Sequence, residues 1–78
     1  MNYCIKYATK TPLTLSLDKC GNTYRVTIWD EKAHAMELIE EFDSYEHAEL
    51  CFMALVKTGE FNDPVDVNHD SSDFANID

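Results

Sequence analysis

Positive charge is nearly missing from the second half of this chain. Of its six Lys and Arg residues only Lys57 lies beyond residue 34, whereas twelve of the fifteen carboxylates do, so residues 35–78 are strongly anionic and residues 1–34 weakly cationic. A surface of that sign repels phosphate backbones and anionic headgroups, which argues against direct contact with DNA, RNA or a membrane. Glycine is scarce too: Gly21 and Gly59 stand alone, so there is no phosphate-cradling loop and no G-x-S-x-G nucleophile turn. Cys4, Cys20 and Cys51 are odd in number and lack paired spacing, which disfavours a disulfide framework and points to a reducing compartment. No apolar run approaches the length of a signal-peptide core or a membrane span, so a soluble, cytoplasmic protein is expected.

What is present suffices for one small domain. The 78 residues are 45% hydrophobic with nine aromatics, enough for a single shallow core. The expected class is α+β: an antiparallel sheet of three to four strands packed against one helix, with a single domain over residues 1–60 and an acidic tail over 61–78.

Tyr3, Ile5 and Tyr7 alternate with Cys4 and Lys6, and Leu13, Leu15 and Leu17 alternate with Thr14, Ser16 and Asp18 beyond Thr11-Pro12; this period of two reads as half-buried strands. Cys20-Gly21-Asn22 supplies turn chemistry before a β-branched and aromatic run from Tyr24 to Trp29, which predicts a hairpin. Residues 34–42 read either way. As a strand, the preferred reading, they put Met36, Leu38 and Phe42 on one face and Glu37, Ile39, Glu41 and Asp43 on the other. As a helix they align Ala35, Leu38, Ile39 and Phe42. Both geometries turn Glu37 and Glu41 outward.

Asp43 with Glu46 forms a capping-box pattern, with Ser44 as an alternative cap, and Ala48, Cys51, Phe52 and Leu55 follow at helical spacing to Gly59, the expected C-cap. Leu50 and Met53 fall off that stripe. After Gly59, Phe61, Val65 and Val67 suggest a short edge strand, and beyond His69 too little apolar surface remains to offset ordering entropy.

Candidate sites are few. Asp66, Asn68 and Asp70 take the first ligand positions of a calcium loop, but Ser71 stands where glycine is required and Ile77 where a bidentate Glu belongs. His47 and Cys51 share a helix flank without a third or fourth ligand, and Cys20 has Lys19 beside it but no His-Asp partner in sequence. The expectation is therefore a non-enzymatic protein without cofactor or metal. The carboxylates of Glu37, Glu40, Glu41, Asp43, Glu46 and Glu49 form a run with no interleaved cation, and such self-repulsion makes sense where a cationic partner is met. The expected partner-binding set adds Met53 and the tail residues Asp63, Asp66, Asp70 and Asp73.

The hairpin followed by Glu41-Phe42-Asp43-Ser44-Tyr45-Glu46, which leads from a strand into one helix, resembles the layout of small phage-encoded inhibitors of bacterial defence, notably the anti-CRISPR proteins, over residues 24–59. Those proteins are not one homologous family, so no residue roles carry over. The resemblance implies a mode of action: an acidic protein, monomeric or homodimeric, acting in the host cytoplasm. It would occupy the basic groove where a CRISPR effector holds guide or target nucleic acid, acting as a DNA mimic. An alternative reading is a small intracellular protein-interaction or self-assembly module that uses a sheet edge with Leu50 and Met53.

Overall fold

A computed structural model of the chain describes residues 2–67. Four antiparallel strands follow one another, β1 (Asn2–Lys10), β2 (Leu13–Cys20), β3 (Thr23–Asp30) and β4 (Ala35–Phe42), then the helix α1 (Tyr45–Thr58) and a two-residue strand β5 (Val65–Asp66). The sheet order is β4-β3-β2-β1-β5, so β4 and β5 are its edges. The α+β class inferred from alternation followed by helical spacing is the class observed. The ambiguous segment over residues 34–42 is a strand.

The helix covers one face of this sheet. Leu15 and Leu17 of β2, Val26 of β3 and Ala8 of β1 are buried against Ala48, Phe52 and Val56, with Ile5, Tyr24, Ile28, Phe42, Leu55 and Phe61 packed around them. The buried helical stripe runs through Ala48, Phe52 and Val56, and Cys51 and Leu55, expected on the stripe, pack against the core half-buried at its margin.

Local chemistry sets the ends of the elements. Gly21 takes φ +62 in the β2–β3 turn, a left-handed conformation open to a residue without Cβ. At the helix start the Ser44 side chain accepts a hydrogen bond from the His47 N–H at 3.2 Å, so Ser44 is the cap. The Asp43–Glu46 box does not form, because the third residue after the actual cap is His47. Glu46 in the first turn and Lys57 in the last complement the helix dipole.

Gly59 is the C-cap, as expected, but it is not the left-handed residue of the stop. Gly59 is right-handed (φ −87), and it is Glu60 that turns left-handed, with φ 57. The Glu60 N–H donates to Lys57 O and the Phe61 N–H to Val56 O, the Schellman pattern with Glu60 at its left-handed position. Gly59 is needed for proximity: a Cβ there would lie 2.7 Å from the Phe61 ring and 2.9 Å from Leu55 O. Phe61 thereby folds back onto the core, the Asn62 N–H donates to Thr9 O and the Val67 N–H to Ile5 O, and residues 61–67 run beside β1. Among the described residues no helix is long and apolar enough to cross a membrane. The calcium-like pattern, apart from Asp66 and Val67, lies outside the described residues.

Candidate partner-binding surface

The register of β4 on β3 decides where the acidic residues point. Tyr24 pairs with Phe42, Arg25 with Glu41 and Val26 with Glu40, after which the count slips, so that Thr27 pairs with Leu38, Ile28 with Glu37 and Trp29 with Met36. Ile39 is the extra residue of a β-bulge. Directly paired residues share a face, and Val26 faces the helix. Glu37, Glu40 and Phe42 therefore lie on the helix side of the sheet, and Met36, Leu38 and Glu41 on the side the helix leaves open. Strict alternation assigns Glu37 and Glu41 to one face; they are exposed but lie on opposite faces, because one residue of bulge reverses the phase between them.

Each carboxylate then has its own surroundings. Glu41 accepts from the Thr23 hydroxyl at 2.6 Å and from Arg25 Nε at 3.1 Å; the Thr23 bond first, and the Arg25 bond next, hold its carboxyl below the usual range, and Glu41 in turn raises the Arg25 guanidinium. Glu49, on the helix flank above β1, accepts from Lys6 Nζ at 2.7 Å and from the Tyr45 hydroxyl at 3.1 Å. The Lys6 bond leads in lowering the Glu49 pKa, and the same bond raises the Lys6 ammonium pKa. Only 12% of the Lys6 side chain remains exposed, and Asp66 of β5 approaches it to 3.7 Å. Lys6 also lies 5.8 Å from the centre of the Tyr45 ring.

Glu46 and Met53, one turn either side of Glu49, share its flank of the helix. Cys51 lies on the opposite flank, toward β4, where burial first and the Glu40 charge second raise its pKa. Asp43 is exposed at the joint between β4 and α1, and Asp63 is exposed on the segment returning to β1. Asp70 and Asp73 lie outside the described residues. What reads as one continuous acidic run is thus split into a cluster around Lys6 (Glu49, Asp66), with Glu46 one helical turn from Glu49, a carboxylate held by Arg25 (Glu41), and a pair on the helix side of the β4 edge (Glu37, Glu40).

The run does have interleaved cations, contrary to expectation, but they come from strands far away in sequence. Lys6 and Arg25 precede their partners by 43 and 16 residues, so only the sheet register brings them together. The side chains of Glu37, Glu40, Asp43, Glu46 and Asp63 have no ion pair or hydrogen bond among the described residues.

Two residues the charge argument left aside join this edge. Met36 and Leu38 are 67% and 52% exposed on the open face, beside Trp29 and Thr27 in register; their signal in the sequence was an apolar alternation that also fitted a core strand. Elsewhere, Cys20 ends β2 and lines a shallow hollow of about 350 Å³ with Cys4, Asp18 and Arg25, without a histidine. Burial leads in pushing the Cys4 thiol up to about 11, which keeps it protonated and poorly nucleophilic at neutral pH. Among the described residues no three His, Cys, Asp or Glu side chains converge as a metal site. Comparison with known protein families, with curated proteins and with solved structures finds no match to this chain.

Proposed function

We propose that this protein is a non-enzymatic acidic inhibitor. It acts in a bacterial cytoplasm by occupying the cationic surface on which a defence effector, of the CRISPR type, holds nucleic acid. The observation that carries the reading is the distribution of uncompensated charge. After Lys6 and Arg25 have engaged Glu49, Asp66 and Glu41, the pair Glu37 and Glu40 on the exposed strand β4 has no cationic partner among the described residues. Uncompensated like charges at a sheet edge repel each other, and a cationic partner relieves that repulsion. The choice of partner class follows the resemblance of residues 24–59 to the layout of small phage-encoded inhibitors.

Competition between opposite surfaces predicts fast association that weakens with salt. The test is binding of the protein to a purified RNA-guided nuclease at two salt concentrations, with guide or target nucleic acid as competitor. The expected result is at least a tenfold loss of affinity at high salt and for the Glu37→Lys/Glu40→Lys variant, with displacement by nucleic acid. Binding indifferent to salt and to charge reversal would remove the electrostatic mechanism.

A self-assembly module is the second reading, favoured by the helix residues Leu50, 70% exposed, and Met53, 42% exposed. A salt-insensitive dimer in sedimentation, lost on Met53→Asp, would establish it in place of the first.

A further inference from the structure

We propose that the outer edge of β4 receives an extended segment of the partner as a sixth, added strand, and that this segment alternates lysine or arginine with apolar residues. The proposal rests on the acidic-inhibitor reading and specifies how its contact is made.

β4 is eight residues long and, among the described residues, pairs only with β3. Among the described residues its backbone makes no hydrogen bond on the other side. An unpaired row of N–H and C=O groups is a template for strand addition, in which main-chain bonds supply affinity and alternate side chains supply selectivity. The opposite edge is short, since β5 has two residues.

The side chains along β4 define what fits. Glu37 and Glu40 flank the edge on the helix side, and Met36 and Leu38 flank it on the open side. Residues of an added strand face the same two sides in turn. Cationic residues on one side would meet Glu37 and Glu40, and apolar residues on the other would cover Met36 and Leu38.

The other occupants are opposed by charge. A second copy pairing edge to edge sets glutamates against glutamates, which costs stability when they are directly opposite. Residues 68–78 bring Asp70, Asp73 and Asp78 with no Lys or Arg, and Val67, the last described residue, is bonded to Ile5 on the β5 side of the sheet, away from β4.

The probe is a ten-residue peptide alternating valine and lysine. Its controls are the valine-glutamate counterpart and a valine-lysine peptide N-methylated on alternate residues, added to the full chain and followed by amide hydrogen exchange and NMR shifts. The expected result is at least tenfold slower exchange at alternate β4 amides with the valine-lysine peptide alone, and loss of that protection on N-methylation. The Glu37→Lys/Glu40→Lys variant is expected to reverse the preference toward the valine-glutamate peptide. Protection of β4 that grows with protein concentration without peptide would assign the edge to a second copy and overturn the proposal. Absence of β4 protection, or shifts confined to the helix, would overturn it as well. If a nuclease is still bound in a salt-dependent way when the peptides fail, the inhibitor reading stands and only the strand-addition mode falls.

Discussion

Glu60 occupies a backbone conformation that favours glycine, while the glycine before it does not. A left-handed φ of 57 at Glu60 costs an L residue about 1 kcal/mol relative to glycine. Glu60→Gly is therefore expected to raise stability by about 1 kcal/mol, or about 4 to 8 °C in Tm for a domain of this size, read by thermal denaturation. Gly59→Ala is expected to do the reverse, by about 1 to 3 kcal/mol. Its Cβ would meet the carbonyl oxygen of Leu55 at 2.9 Å, and a backbone oxygen in the last turn cannot swing aside as the Phe61 ring can. An unchanged Tm for both would contradict the assigned helix stop. Gly59 was legible as a terminator, but the reason was not: proximity to Phe61 and Leu55 is a tertiary fact, and composition signals only that the helix ends nearby.

Among the elements, α1 and β4 show opposite dependence on packing. Phe52 is fully buried beneath the helix, against β2 and β3, while Leu50, two residues earlier, is 70% exposed. Phe52→Ala is expected to cost about 3 to 5 kcal/mol, a large share of the stability of so small a domain. Leu50→Ala should stay within about 0.5 kcal/mol; urea denaturation of the two variants checks the contrast. Periodicity revealed this helix well because its spacing is local. For β4 it revealed the strand but misassigned its faces. Met36, Leu38 and Phe42 share a parity in sequence, yet the bulge at Ile39 puts Phe42 beside Tyr24 at the core and leaves Met36 and Leu38 on the open face. A bulge is chosen by the partner strand, and the alternation of one strand holds no record of it. The same register pairs Arg25 with Glu41, so the split of the acidic run was hidden for the same reason.

At the scale of the molecule, acid acts on this fold in two opposing ways. Protonating carboxylates relieves the self-repulsion of a chain with net charge −9, which favours the compact state. It also removes the anionic partners of Lys6 and Arg25, which disfavours it. Glu49 and Glu41 have lowered pKa values in the folded protein, against about 4.3 for an unfolded glutamate. Their contribution is therefore complete above about pH 4.3 and is lost as pH falls through the folded values, because the unfolded state then binds protons more readily. Lys6 has the opposite sense: its raised pKa gives a contribution complete below about pH 10.4 and lost as pH rises through the folded value. A single acid denaturation curve mixes repulsion with pairing, so a difference between variants at equal pH is required. Glu49→Gln is expected to be less stable than the parent at pH 7, and the gap is expected to narrow as pH falls below about 4.3, where the unfolded glutamate takes up its proton before the folded one does, as followed by urea denaturation. At about 0.15 M salt the screening length is about 8 Å, so the loss of one negative charge elsewhere on the surface contributes little to the gap. A gap that persists unchanged to pH 3 would mean that Glu49 acts through packing, and that the cluster around Lys6 does not tie β1 to the helix by charge.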